Sequence, residues 1–136
     1  MIKILVIDDE IGNRHTDYHQ DFVKKYSDPD FQFVFCDGRN ENRQYTIQTV
    51  LNFVRQNLDA DIIILDRVFG DQNQFGVETL GRIRELSPNI PVVMHSSELD
   101  SDTRTKCTFF GAAGFLKKGI TVEKFREEIF RLVKSK

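Results

Sequence analysis

Five residues that could perform chemistry stand at the ends of apolar segments of the sequence. They are three aspartates, a serine and a lysine: Asp8, Asp9, Asp66, Ser96 and Lys118. Three carboxylates brought close together repel one another, and a bound divalent cation would relieve that repulsion. A site with few protein ligands and room for water favours Mg²⁺. With the hydroxyl and the ammonium, the cation could stabilise a phosphoryl group arriving on Asp66.

The segment before Asp66 indicates how this carboxylate is positioned. Residues 62–65 are Ile-Ile-Ile-Leu, four consecutive apolar side chains. Such a run is typical of a strand that is covered on both faces, as in a parallel sheet flanked by helices. Asp66 therefore lies where the strand leaves the core, at the edge where open α/β sheets bind their ligands.

Strand and helix patterns alternate along the whole chain. Strands are predicted at 2–7, 31–36, 61–66, 90–95 and 112–116. Apolar residues at three- and four-residue steps predict helices over 11–26, 47–58, 77–86, 96–110 and 121–133. We expect an α/β fold with one domain, residues 1–136, built on a five-stranded parallel sheet with helices on both faces. The flavodoxin-like strand order 2-1-3-4-5 is the best candidate.

This strand order brings the five candidate residues together. The ends of parallel strands share one edge, and strands one, three, four and five are neighbours in this order. Asp8 and Asp9 end the first strand, and Asp66 ends the third. Ser96 ends the fourth strand, and Lys118 follows the fifth. We expect one shallow cleft that contains three carboxylates, a hydroxyl and an ammonium.

In combination these features resemble a response-regulator receiver domain of two-component signalling. The similar stretches are residues 4–10, 62–66, 76–78, 87–94 and 111–118. They span nearly the whole chain, and the acid pair, acceptor, hydroxyl and lysine are specific as a set. The resemblance implies an apparently stand-alone signalling switch, a phosphoprotein, and not an enzyme.

The resemblance also implies how the phosphoryl group is received. Asp66 would accept it from a sensor histidine kinase or a phosphotransfer protein, and Lys118 would bind the phosphoryl group. Mg²⁺ would be the cofactor, held by Asp8, Asp9, Asp66 and the backbone carbonyl of Val68.

By the same resemblance, Ser96 is the switch hydroxyl and Phe115 the switch aromatic. Phosphorylation adds a charge of about −1.5 to −2 beside Lys118 and Ser96. Ser96 would move toward this charge and leave space for Phe115. The face made by the fourth helix, fifth strand and fifth helix would then repack, and a downstream protein target would recognise it.

Several positions depart from the family pattern. Gly76 lies farther from Asp66 than is usual, and the loop between them lacks the usual proline. Gly119 follows Lys118 where proline is common, and a cis bond before a non-proline residue would cost roughly 3 kcal/mol. The polar stretch 39–44 is unusual for the family, and we expect a surface loop there.

Two other functions fit the same residues. One is a binding module of receiver shape that is not phosphorylated, whose sign would be the loss of an acid, the acceptor or the lysine. The other is a Mg²⁺-dependent phosphotransferase or phosphohydrolase that acts on a small molecule. That chemistry commonly uses a general acid two residues after Asp66, where this chain has Val68.

Composition narrows the possible partners. The net charge of −2 argues against a nucleic-acid surface, which needs clustered Lys and Arg. No apolar run approaches the roughly 20 residues that span a bilayer. We expect a cytoplasmic protein with output through protein contacts, unless the chain is a fragment of a longer regulator.

The three histidines receive structural interpretations. His15 and His19 lie one turn apart on the predicted first helix, but a metal site would need a third ligand. We expect His15 to pack and His19 to lie at the surface. His95 is expected to be a strand histidine whose ring nitrogens have hydrogen-bond partners.

Overall fold

Strands and helices alternate as predicted in the computed structural model, which describes residues 1–134. The strands are β1 (Ile2–Ile7), β2 (Phe31–Cys36), β3 (Ile62–Asp66), β4 (Val92–Ser96) and β5 (Gly114–Lys117). The helices are α1 (Asp17–Tyr26), α2 (Ile47–Arg55), α3 (Phe75–Leu86), α4 (Ser101–Phe109) and α5 (Val122–Lys134).

The sheet is parallel throughout, with the order β2-β1-β3-β4-β5, so the predicted fold class is confirmed. Successive side chains of each strand point to opposite faces. In β1, Ile4 and Val6 pack with α1 and α5, whereas Leu5 and Ile7 pack with α2, α3 and α4. Burial on both faces explains why the central strands are continuously apolar.

The two cores differ in composition. The core under α1 and α5 is rich in aromatic side chains, and Phe22 and Phe125 contact each other and several further rings. The buried side chains of the core on the other face are mainly aliphatic. Its two buried aromatic residues, Phe69 and Phe75, pack against each other.

The first helix begins later than predicted. It starts at Asp17, and Thr16 caps it by accepting a hydrogen bond from the amide of His19 at 3.1 Å. The preceding loop passes close to β2, since a β-carbon on Gly12 would lie 2.2 Å from the carbonyl oxygen of Cys36. The histidine assignments were also wrong. His15 is exposed, while the half-buried His19 contacts the carbonyl of Ile11 and the ring of Phe35.

The fourth helix is also shorter than predicted. Asp100 accepts a hydrogen bond from the amide of Thr103 at 2.7 Å and caps the helix just before Ser101. The segment between β4 and this cap is therefore not helical. At the start of α5, the predicted cap is confirmed, since Thr121 accepts from the amide of Lys124 at 3.2 Å.

The polar stretch 39–44 forms a turn whose two ends approach each other. Arg39 and Tyr45 form an isolated antiparallel bridge, and Nη2 of Arg39 donates to the Tyr45 hydroxyl at 2.7 Å. The turn places the Tyr45 ring against Phe69, with ring centroids 5.9 Å apart. No helix within residues 1–134 is long and apolar enough to cross a membrane.

Candidate functional site

Three predicted site residues meet at the carboxyl edge of the sheet. Asp8 and Asp66 are 1% and 4% exposed. The Lys118 ammonium lies 3.3 Å from Oδ2 of Asp66 and 3.4 Å from Oδ2 of Asp8. The adjacent strands β1 and β3 bring the two buried carboxylates together, and the lysine that follows β5, beyond β4, places one cation between them.

The loop after β1 orients Asp8. Its Oδ1 accepts hydrogen bonds from the amides of Glu10 and Ile11, both at 2.9 Å. Its Oδ2 is buried, and no hydrogen bond reaches it from residues 1–134; the Lys118 ammonium faces it at a longer distance. A buried carboxylate oxygen without a hydrogen bond is costly unless another group binds it.

Asp9 completes an acidic cluster. Its Oδ2 accepts from the amide of Gly70 at 2.9 Å, which ties the acid pair to the loop after β3. Asp8, Asp9 and Asp66 each offer an oxygen, and these oxygens lie within 4.8 Å of one another. Carboxylate oxygens are the ligands that Mg²⁺ prefers, so the cluster and the open oxygen of Asp8 fit such an ion.

Burial and like charge perturb the site strongly. Burial, reinforced by the negative charge of Asp8, raises the pKa of Asp66 to about 8. Burial opposes the charge on Lys118, but Asp8 and Asp66 outweigh it and raise the lysine pKa. A divalent cation in the cluster would favour the ionised form of Asp66, since opposite charges stabilise a carboxylate.

The Ser96 hydroxyl bonds to the backbone of the loop after β4, and no hydrogen bond within residues 1–134 joins it to the acidic cluster. Its Oγ donates to the carbonyl of Glu98 at 2.8 Å, and the residue is buried at the end of β4. The backbone links this strand end to the lysine, because the amide of Lys118 donates to the Ser96 carbonyl at 3.0 Å. The structure therefore places Ser96 near the site with its side chain engaged elsewhere.

Phe115 and Ser96 line the same cavity of about 490 Å³. Phe115 is half-buried, and the guanidinium of Arg104 stacks over its ring at 4.6 Å. Sequence reasoning missed this arginine. No local pattern marks it, because the contact joins α4 to β5.

The long loop after Asp66 folds back onto the sheet. The amide of Gly76 donates to the Arg67 carbonyl at 2.9 Å, and a β-carbon at Gly76 would lie 2.1 Å from the Asp66 carbonyl oxygen. Only glycine fits this approach. Phe69 anchors the loop, because its ring is fully buried and lies 4.5 Å from that of Phe75. Sequence reasoning missed this anchor, which a phenylalanine within a polar segment could have indicated.

Two further predictions concern single residues. Gly119 has φ of 85°, which favours glycine, and no peptide bond within residues 1–134 is cis. His95 is 3% exposed, but the expectation of satisfied nitrogens was wrong, because Nδ1 is buried without a hydrogen-bond partner.

The family follows from comparison with known proteins. The family model described as the response regulator receiver domain matches residues 41–130. The chain belongs to this family. The matched part of the receiver contains Asp66, Ser96 and Lys118, whereas Asp8 and Asp9 precede it. No curated protein sequence matches the chain significantly.

Solved structures resemble the receiver over nearly its whole length. The Vibrio cholerae chemotaxis protein CheY4 is 20% identical, with a TM-score of 0.75 over 97% of this chain and 98% of that chain. A two-component response regulator from Clostridium difficile is 17% identical, with a TM-score of 0.74 over 98% and 97%. A response regulator from Thermotoga maritima is 19% identical, with a TM-score of 0.72 over 98% of both chains. At these identities the likeness concerns the fold.

Membership in the family supports a coarse statement of function. Receiver domains are signalling switches, generally not enzymes, and they interact with histidine kinases or phosphotransfer proteins. The family typically binds Mg²⁺ at an acidic pocket, and this chain has an aspartate cluster at the corresponding edge of its sheet.

Proposed function

We propose that this receiver accepts a phosphoryl group on Asp66 from a sensor histidine kinase or a phosphotransfer protein, with Mg²⁺ as cofactor. The observation that carries the proposal is the contact of one half-buried ammonium, Lys118, with both Asp66 and Asp8. A cation held there can stabilise the oxygens of a phosphoryl group that arrives on Asp66.

In the proposed reaction, a carboxylate oxygen of Asp66 forms a bond to phosphorus. The P–N bond of the donor phosphohistidine breaks, and its electron pair leaves with the donor imidazole, which takes up a proton. Lys118 contacts Asp66 at 3.3 Å before the reaction and needs little movement to bind a phosphoryl oxygen. Preorganised charge of this kind is a major source of catalysis.

Asp8, Asp9, Asp66 and the backbone carbonyl of Val68 would hold Mg²⁺. When bound, the ion supplies positive charge that favours an ionised Asp66 and offsets charge on the transferred phosphoryl group. The open Oδ2 of Asp8 and the close approach of the three carboxylates support this assignment.

The proposed response begins at Ser96. Its hydroxyl, now bonded to the Glu98 carbonyl, would turn to the phosphoryl group and leave space beside Phe115. The ring would then move inward and lose its stacking with Arg104. Because these groups lie on α4 and β5, the face formed by α4, β5 and α5 would change shape for a downstream protein.

Intact-mass measurement after incubation with acetyl phosphate and Mg²⁺ tests the proposal. The wild-type chain should gain the mass of one phosphoryl group, and the gain should disappear in Asp66→Asn and after chelation with EDTA. Asp71→Asn is the matched control, because Asp71 is an exposed aspartate of the same loop. It should be modified like the wild type.

Two results would contradict the proposal. An unchanged wild-type mass under conditions that fold the protein would favour a binding module that is not phosphorylated. Steady turnover of diverse phosphate esters without lasting modification would favour a small-molecule phosphotransferase or phosphohydrolase.

A further inference from the structure

His95 lies in the same row of side chains as Asp66, the proposed phosphoryl acceptor. In the β3–β4 pair, Asp66 stands opposite His95, and in the β4–β5 pair His95 stands opposite Leu116. Ile64, Val93 and Leu116 all face the core under α1 and α5. Because side chains alternate along a strand, Asp66 and His95 point to that same face.

Lys118 follows Leu116 by two residues, just past the end of β5, and its ammonium lies 3.3 Å from Asp66. His95 thus stands on the strand between the one that carries Asp66 and the one that leads to Lys118. The imidazole and the ammonium also share a cavity of about 430 Å³, whose other walls include Phe22 and Tyr26. The histidine is a direct neighbour of the groups that would hold a phosphoryl group.

In the unphosphorylated chain, a ring nitrogen of His95 lacks a hydrogen-bond partner among the described residues. Its Nδ1 is buried and has no hydrogen-bond partner within residues 1–134. A buried polar atom without a partner destabilises the fold, whereas a phenylalanine would fill a similar volume without that cost. Packing alone therefore accounts for a ring at this position but not for its Nδ1 atom.

The imidazole carries a hydrogen-bond donor in either charge state, because both ring nitrogens are donors when it is protonated. A neutral imidazole has one N–H, which can sit on either ring nitrogen. The side chain can therefore donate one hydrogen bond when an acceptor appears nearby.

We propose that His95 is an additional ligand of the phosphoryl group, with Nδ1–H donating a hydrogen bond to a phosphoryl oxygen on Asp66. This inference rests on the proposed function. A phosphoryl oxygen is a charged acceptor, and hydrogen bonds to charged groups are stronger than those between neutral groups. The bond exists only after transfer begins, so it favours the phosphorylated state over the resting one.

Three variants separate the nitrogen from the ring. His95→Phe keeps an aromatic ring and removes both nitrogens. His95→Asn places an amide nitrogen close to the position of Nδ1, whereas His95→Gln places one close to Nε2. The rate of phosphorylation by acetyl phosphate with saturating Mg²⁺ is measured by intact mass, and thermal unfolding verifies that each variant is folded.

We expect His95→Phe to be phosphorylated about tenfold more slowly than the wild type, since one hydrogen bond to a charged group is lost. His95→Asn should stay within about threefold of the wild-type rate, and His95→Gln should resemble His95→Phe. A wild-type rate in folded His95→Phe would overturn the proposal. Equal losses in the Phe and Asn variants would also overturn it, because ring shape would then be the property that matters.

A second measurement needs no substitution. Nitrogen-15 spectra of the wild-type imidazole are compared with and without beryllofluoride and Mg²⁺, a stable mimic of the phosphoryl group. The proton should move to Nδ1 and its resonance should shift downfield when the mimic binds. Binding without any change at Nδ1 would overturn the inference and leave the proposed function intact. Failure of the wild type to accept either phosphoryl group or mimic would instead overturn the proposed function.

Discussion

Two segments that follow neighbouring strands of the sheet, the loop after β3 and the helix after β4, are held in different ways. The loop after β3 is anchored by Phe69, whose fully buried ring packs against Phe75 and Tyr45. Helix α4 buries only Thr103 and Cys107, and a polar cap fixes its start. The loop has the longer irregular backbone, yet it has the stronger apolar attachment.

The difference follows the proposed roles of the two segments. The loop binds Asp9 through the amide of Gly70 and, in the proposed function, would supply the Val68 carbonyl to Mg²⁺, so its backbone would have to stay in place. Helix α4 belongs to the face that would change on phosphorylation, and an element with few buried apolar contacts moves at low cost. The receiver therefore combines a firmly held acceptor side with a loosely held responding side.

The largest expected effect concerns the anchor of the loop. Phe69→Ala removes a ring that is 0% exposed and should lower the free energy of unfolding by about 3–5 kcal/mol. The matched control is Phe109→Ala on α4, where the ring is 84% exposed and the change should stay within about 0.5 kcal/mol. Urea denaturation measures both. Similar losses in the two variants would remove the contrast between loop and helix.

The acceptor itself should destabilise the metal-free chain at neutral and higher pH. The pKa of Asp66 rises from its ordinary value of 3.8 to about 8 on burial, so the unfolded chain loses this proton first. Stability is therefore lost as pH rises between those two values. Asp66→Asn removes the penalty, and Lys118 keeps Asp8 as its partner.

We expect Asp66→Asn to be more stable than the wild type by roughly 1–3 kcal/mol at pH 8 in EDTA, with little difference near pH 4. Added Mg²⁺ should reduce the gain, since the ion stabilises the wild-type carboxylate. Denaturation at several pH values measures the effect, with Asp71→Asn as control. A gain that is independent of pH would contradict the proposed cause.

A moderate local effect is expected at the cap of α4. Asp100→Ala removes the acceptor for the Thr103 amide, and amides of the first turns of α4 should exchange about fivefold faster. The Thr103 amide lowers the pKa of Asp100, so the cap is intact above the ordinary value of 3.8 and is lost as pH falls through the lowered pKa. Asp102→Asn, an exposed acid without the cap bond, is the control. Faster exchange spread equally over the β3–α3 loop would contradict a local role.

The smallest effect concerns the stacking of Arg104 on Phe115. Arg104→Ala should change the free energy of unfolding by less than about 1 kcal/mol, because exposed cation–π contacts are weak. It should still shift the ring resonances of Phe115. Arg82→Ala, at an exposed arginine of α3, is the control and should leave them unchanged. Unaltered Phe115 resonances would show that the arginine does not hold the ring.

Residue pattern predicted the frame of the molecule and most of its site. The apolar run before Asp66 placed this residue at a strand end, and the strand order then brought Asp8 and Lys118 to it. These inferences worked because strand burial and parallel topology depend on patterns that span several residues.

The predictions from sequence were wrong or incomplete where a single tertiary contact determines the local structure. Ile11 has helical spacing with the residues that follow. Its amide, however, donates to Asp8, and α1 begins only after the Thr16 cap. The missing partner of His95 and the stacking on Phe115 depend on side chains from other elements. Neither leaves a mark in the local sequence.

Tyr45 and Phe69 are separated in the chain but close the same corner of the molecule. Their glycine neighbours share this dependence, because a β-carbon on Gly38 would lie 2.9 Å from the Phe69 ring, and one on Gly70 equally close to the Tyr45 ring. The turn that carries Gly38 and Tyr45 and the loop that carries Phe69 and Gly70 therefore depend on each other. A chimera that takes only one of them from a relative would contain either a cavity or a steric clash, so both should be exchanged together.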